Sequence, residues 1–263
     1  MCIILIYEFN KKVMSELEDR MLKYRSSTDY RLLKEQPVLA MIDGRSFSKV
    51  IKNKFQKPFD PEFINLMNKT AEGCIAEIQG CKFAYVQSDE ISFYIDSRNP
   101  ESTPFFEYRL CKLLSIIPSK ATGIFNDLRD KKKIKEPCEF DCKVWNVPTD
   151  NDVFSWFLYR QNDCVRNSKS QAAQTYLSHK DLMRLNTDQQ IQKLLETKGI
   201  DWNEYEDGMK YGRFIWKEKV EYTDPKYGTY QRSVYEAKPA WRLNTPEGRT
   251  RFMNLLGLQD KDD

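Results

Sequence analysis

Between residues 38 and 147, continuous apolar runs alternate with segments of helical spacing. Residues 38–42, Val-Leu-Ala-Met-Ile, form an unbroken apolar run that ends at Asp43-Gly44, the pattern of a strand buried on both faces and stopped by a turn. Asp60-Pro61-Glu62 then supplies an N-cap, a proline at the first helical position and a first-turn acid, and Phe63, Leu66, Met67, Thr70, Ala71 and Cys74 recur at helical spacing. This predicts a helix of about 18 residues ending near Gly80. Residues 81–86 and 91–95 are rich in aromatic and β-branched side chains and flank Gln87-Ser88-Asp89-Glu90, so they read as a hairpin. Residues 105–117 predict a second amphipathic helix broken at Pro118, and residues 140–147 a fourth strand before Pro148. Strand, helix, strand, strand, helix, strand is the ferredoxin-like order, an α+β fold whose antiparallel sheet carries helices on one face.

The flanks have a different texture. Residues 14–34 are charged and helix-prone, with Leu17, Met21 and Tyr24 on one face, and the apolar run 2–7 reads as an edge strand or as an extension upstream of a start at Met14. From Asp152 the chain is helical to Tyr176, Asn186-Thr187 caps a further helix to Lys198, and Gly199 ends it. Residues 211–222 predict a strand, Asp224-Pro225 and Tyr227-Gly228 hairpin turns, and the tail from Asn244 a short helix with an acidic end. The divisions expected are an N-terminal arm over 1–35, a catalytic unit over 36–149, and a mostly helical C-terminal region with a β-hairpin over 150–263.

Charge changes this picture little: 42 Lys and Arg against 39 Asp and Glu leave +3, which neither demands nor excludes nucleic acid. The mostly basic stretch 129–135 reads as a solvated loop. Seven scattered cysteines without a CxxC pair, and a single histidine, His179, argue against a zinc site and for reduced thiols in a cytoplasmic protein. No apolar run is long enough to span a membrane, and the tryptophans read as core and interface residues.

The chemistry is carried by two acidic turns. In a ferredoxin-like sheet the first and third strands are central neighbours, which would bring Asp43 close to Asp89. Two adjacent carboxylates repel, and Mg²⁺, which favours one or two carboxylates with carbonyls, waters and phosphates, relieves that repulsion. Small residues at Gly44 and Ser46 would let a triphosphate approach the turn. Either motif alone is also an ordinary turn; together, in these slots, they read as a pair of turns or as a palm-type two-metal site.

Residues Ile42-Asp43-Gly44-Arg45-Ser46-Phe47, Phe55-Gln56-Lys57-Pro58-Phe59-Asp60 and Ala84-Tyr85-Val86-Gln87-Ser88-Asp89-Glu90-Ile91-Ser92-Phe93 resemble the tRNA(His) guanylyltransferase family and its Thg1-like relatives. Phe140-Asp141, residues 159–164 (Tyr-Arg-Gln-Asn-Asp-Cys) and Gly212-Arg213-Phe214-Ile215-Trp216 extend the likeness, in order, over about residues 35–220. The resemblance implies a polymerase-like palm working in the 3′ to 5′ direction: ATP or GTP activates a 5′-monophosphate RNA end, and the 3′-hydroxyl of an incoming nucleoside triphosphate attacks it. It implies that Asp43, the Gly44 carbonyl and Asp89 hold two Mg²⁺ ions, with Glu90 in support. The turn Arg45, Ser46, Phe47 and Ser48, together with Lys57 and Ser88, would meet the nucleotide, and Arg109 and Lys112 would lie near the activating nucleotide. The same helix pair is also read, without the family, as a solvated face. A tRNA substrate and a homotetramer built as a dimer of dimers follow from the same likeness.

Residues 165–171, Val-Arg-Asn-Ser-Lys-Ser-Gln, depart from the His-Ile-Asn-Asn-Leu-Tyr-Asn signature of the eukaryotic enzymes, and only Asn167 coincides. Arg166 and Lys169 remain candidates for RNA phosphates. The departure favours the Thg1-like branch, which repairs 5′-truncated tRNA on a template, over guanylate addition to tRNA(His). A non-catalytic RNA-binding palm is the reading from another class.

Overall fold

The structure, a computed structural model, describes residues 2–226 and 228–258, with side chains from Met14 onward. In chain order the elements are α1 (Cys2–Ser26), β1 (Val38–Gly44), the single turn α2 (Phe47–Val50), α3 (Pro61–Glu77), β2 (Cys81–Gln87), β3 (Glu90–Ile95), α4 (Leu110–Leu128) and β4 (Phe140–Asn146). Then follow α5 (Asp150–Tyr176), α6 (His179–Leu182), α7 (Thr187–Lys198), α8 (Asp207–Lys210), β5 (Arg213–Asp224), β6 (Gly228–Tyr235), β7 (Lys238–Pro239) and α9 (Pro246–Leu256). The sheet runs β4-β1-β3-β2-β5-β6, with β7 on β5, so β1 and β3 are central neighbours. No described helix is long and apolar enough to cross a membrane.

Helices cover both faces of this sheet, not one. Val38, Ala40 and Ile42 of β1 pack with α3 and α4, whereas Leu39 turns to a second core that contains Phe154 and Phe157 of α5, Leu194 of α7 and Phe252 of α9. The period-two split repeats in β2, where Ala84 and Val86 join the first core and Phe83 and Tyr85 the second. An unbroken apolar run is what burial on both faces requires. The α5 helix that covers the second face is started by a capping box between Thr149 and Asp152.

Three local expectations are corrected. Residues 2–7 belong to helix α1 and not to an edge strand. Residues 105–108 form a separate turn with positive φ at Phe106, Glu107 and Tyr108, and α4 begins after it and runs through Pro118. The lost hydrogen bond at that proline is offset by a buried stripe of Leu113, Ile117, Ala121 and Phe125. The basic loop keeps Lys131, Lys132 and Lys135 exposed, as a solvated loop should, and is fastened at its ends: Arg129 donates to the Asn126 and Ile134 carbonyls, Ile134 is buried, and Lys133 pairs with Glu62 and sits 4.2 Å from the Phe55 ring centre. The tail helix is α9; the acidic end, Tyr227 and Met1 lie outside the described residues.

Candidate active site

The sheet register sets the site. Asp43, one residue from the end of β1, lies opposite Glu90 of β3 on one side and Asp141 of β4 on the other. The Gly44 N–H donates to the Asp89 carbonyl at 3.2 Å, which ties the β2–β3 turn to the end of β1. In that turn Ser88 has φ 46° and its hydroxyl donates to Asp89 Oδ1 at 3.0 Å. Gly44 is required by close approach: a Cβ there would lie 2.4 Å from the Phe47 ring. That ring is buried among Phe63, Phe125 and Phe140 and anchors the start of the loop.

Like charges dominate the electrostatics. Burial, then Asp89, Glu90 and Asp141, push the Asp43 carboxyl up to about 6, against the lowering effect of Lys143. Burial raises Asp89 as well, opposed by its own backbone N–H and the Ser88 hydroxyl. Glu90 is neutralised within the fold: Arg160 of α5 donates to its two oxygens from Nε at 2.8 Å and Nη2 at 2.5 Å, and Gln87 donates at 3.1 Å. Arg160 also meets Asp163 at 3.1 Å. Asp43 and Asp89 therefore carry the uncompensated charge. Among the described residues no cluster of three or more His, Cys, Asp or Glu forms a metal cage. Two strained carboxylates with an adjacent backbone carbonyl fit Mg²⁺, which needs few protein ligands and keeps its waters.

Beside Ser88 opens a cavity of about 290 Å³. α2 contributes Ser48, the loop after it Lys52 and Lys57, and α5 Asn167 and Gln171, one helical turn apart on the same face. Ser48, Lys57, Ser88 and Asn167 are thus gathered in one place.

The other candidates lie elsewhere. Arg109 and Lys112 line a separate recess between α1 and α4, where Arg109 faces Asp29 and Glu107, each at 3.8 Å. Lys169 lines a recess on another face of α5, pairs with Asp188 at 2.5 Å and lies 5.1 Å from the Trp202 ring centre. Arg166 is exposed and pairs with Asp163. Arg45 is exposed and pairs with Glu139 at 2.6 Å, Ser46 is exposed at φ 57°, and the Phe47 side chain belongs to the core. His179 is exposed and lines none of these recesses.

Three residues at the site have no role assigned from the sequence: Gln87 and Arg160, which hold Glu90, and Arg213, which lines the cavity beside Ser88. Arg160 stands in a Tyr-Arg-Gln-Asn-Asp-Cys run whose polar residues interrupt an apolar helix face, a signal that a buried acid needs a partner. Arg213 lies at the head of a strand, where a lone charge before an apolar run looks like a solvated strand end.

The sequence model of the Thg1 family, described as tRNAHis guanylyltransferase, matches residues 18–148. A bacterial tRNA(His) guanylyltransferase (Thg1)-like protein solved in complex with ATP superposes with a TM-score of 0.79 at 31% identity, covering 91% of this chain and 98% of that one. A bacterial Thg1-like protein in complex with GTP gives 0.74 at 29% identity, covering 92% and 100%. tRNA(His) guanylyltransferase 1 of Arabidopsis thaliana is 26% identical over 71% of this chain, which spans only 35% of the plant protein's length. With a 31% identical neighbour covered almost from end to end, the chain belongs to the tRNAHis guanylyltransferase (Thg1) family.

Proposed function

We propose that the protein is a Mg²⁺-dependent nucleotidyltransferase that adds nucleotides to the 5′ end of tRNA in the 3′ to 5′ direction, repairing 5′-truncated tRNA against the opposite strand. The observation that carries this reading is the pairing of Asp43 and Asp89 at one end of the central strands, beside a cavity lined by Lys57 and Ser88. Asp43, the Gly44 carbonyl and Asp89 would hold the two Mg²⁺ ions, and the bound metal supplies charge neutralisation for attacking and leaving oxygens. The chain's own residues do the positioning. Lys57 offers a positive charge to phosphate oxygens, and Ser88 orients Asp89 through the hydroxyl contact. Arg160 pairs with Glu90, so that Asp43 and Asp89 remain the carboxylates available to a metal. Phosphoryl transfer asks for this alignment and charge balance more than for covalent help. ATP or GTP would activate the 5′-monophosphate, and the relatives solved with ATP and with GTP support such substrates.

The family name favours a second reading, guanylate addition to tRNA(His). Against it stands the wall that α5 gives the cavity, in which Ser168 and Gln171 come from the departing part of the stretch 165–171, beside the one coinciding residue Asn167. A panel of 5′-truncated tRNAs and full-length tRNA(His) decides. Extension of truncated substrates by template-matched nucleotides supports repair; guanylate addition to tRNA(His) alone supports the second reading; no extension of any substrate refutes both.

A further inference from the structure

The cavity wall contains a buried cation that the fold does not neutralise. Arg213 opens β5, opposite Val86 of β2, and is only 6% exposed. Its Nε donates to Asn68 Oδ1 of α3 at 2.9 Å and its Nη1 to the Gly208 carbonyl of α8 at 3.2 Å. Nη2 is buried without a hydrogen-bond partner, and among the described residues no carboxylate forms an ion pair with the guanidinium. Burial holds its pKa below the usual arginine value. A guanidinium taken out of water without a counter-ion is strongly unfavourable, and a fold tolerates one where a ligand supplies the missing charge.

The backbone before it is fixed at some cost. Gly212 has φ 81°, and a Cβ there would lie 2.5 Å from the Tyr85 ring. Tyr85 in turn donates to the Tyr211 carbonyl at 2.9 Å. Arg213 is therefore presented by a rigid strand start and held at two of its three nitrogens, which leaves Nη2 buried and unpartnered at the cavity wall.

The cavity that Arg213 lines also receives Lys52 and Lys57. Its one acid, Asp60, is already spent: its oxygens accept the backbone N–H groups of Gln56, Glu62 and Phe63 at the start of α3. Much of the wall is apolar, from Ile51, Phe55, Phe59, Phe63 and Ile64, and its charged side chains other than Asp60 are the cations Lys52, Lys57 and Arg213. A neutral carbonyl would satisfy the free N–H groups but not the charge, whereas a phosphate oxygen satisfies both.

We infer that Arg213 is the buried half of an anion subsite in this cavity, and that a phosphate group of a nucleotide entering past Lys57 and Ser88 is its counter-ion. The inference rests on the proposed reading of the cavity as a nucleotide site. Arg213 is a binding residue on this account, distinct from the acidic pair.

The test uses the full chain as wild type, Arg213→Met, Arg213→Lys and Lys57→Ala, with ATP, GTP and inorganic tripolyphosphate as probes in thermal melts and equilibrium binding. All three probes raise the melting temperature of the wild type. Arg213→Met weakens each by about tenfold or more, while the ligand-free protein melts at the same or a higher temperature, because an unpaired buried charge has been removed. Arg213→Lys, which keeps the charge but loses the fork, binds with intermediate affinity. Lower ligand-free stability of Arg213→Met with probe affinity within about twofold of wild type marks a purely structural arginine and overturns the inference. Nucleotide binding that depends on Lys57 but not on Arg213 overturns the inference and spares the nucleotide reading. Tripolyphosphate binding that depends on Arg213, with no nucleotide binding, upholds the anion subsite but overturns both the nucleotide as its occupant and the nucleotide reading; a wild type that binds no probe overturns all of it.

Discussion

The Arg160–Glu90 pair carries a prediction whose size follows from its burial. Each side chain is 12% exposed, and the contact is two-pronged, at 2.8 and 2.5 Å. Arg160→Met keeps much of the apolar stem but leaves Glu90 as an unpaired, mostly buried carboxylate, in register with Asp43 on the neighbouring strand. Removing one partner of a buried pair costs about 3–5 kcal/mol, and the residual exposure here favours the lower end, about 3 kcal/mol. For a chain of this size that lowers the melting temperature by about 6–9 °C. Glu90→Gln in the Arg160→Met background removes the stranded charge and should recover much of the loss, with a coupling energy of at least about 1.5 kcal/mol in the double-mutant cycle. The assay is reversible thermal or denaturant unfolding of the four proteins without metal. An Arg160→Met shift under about 2 °C, or energies that add within about 0.5 kcal/mol, would refute the claim that α5 neutralises Glu90.

Three further outcomes are expected. Asp43→Ala and Asp89→Ala each lower nucleotide addition by at least about a hundredfold while the ligand-free fold stays as stable or gains, since each removes one of two repelling charges; undiminished addition by either variant refutes the site assignment. The folded-state pKa of Asp43 lies above its ordinary value, so the fold binds that proton more tightly than the unfolded chain does. Its destabilising effect is therefore complete above about pH 6 and relieved as pH falls from there towards 4, by about 1–2 kcal/mol after allowance for solvent screening. Mg²⁺ should then stabilise the protein more at pH 7.5 than at about pH 5, where protons compete for the same carboxylate; melts with equal metal-induced shifts at both values would count against metal binding there. Met14, Leu17 and Met21 form an exposed apolar stripe on α1, which suits the homotetramer that the family resemblance implies; light scattering should give a multiple of 31.2 kDa that falls when Leu17 and Met21 are changed to Glu.

Much of the palm was legible because its signals are local. The run 38–42, the Asp60-Pro61 cap and the aromatic runs around residues 87–90 each encode one element, and their order implies that β1 and β3 are neighbours. Helices on the second face escaped the reading because nothing near β1 says which distant segment will cover Leu39. The left-handed turn at residues 106–108 and the uninterrupted α4 escaped it because tertiary burial outweighs the local cost of Pro118. At the site, the acids were visible as residues at strand ends, whereas their partners were not. Arg160 is paired with Glu90 across 70 positions of sequence, and Arg213 shows its role only by what fails to surround it.

The central claim, a metal-paired Asp43 and Asp89 that extend RNA at its 5′ end, is tested most directly by the direction of growth. A 5′-truncated, 5′-monophosphorylated tRNA whose 3′ end has been oxidised is incubated with the protein, Mg²⁺, ATP and labelled nucleoside triphosphates, and the product is sequenced from both ends. Label confined to new 5′ nucleotides complementary to the opposite strand, and absent with Asp89→Ala, is the predicted result. Label that appears only when the 3′ end is left free, or none with any truncated tRNA, would contradict the account.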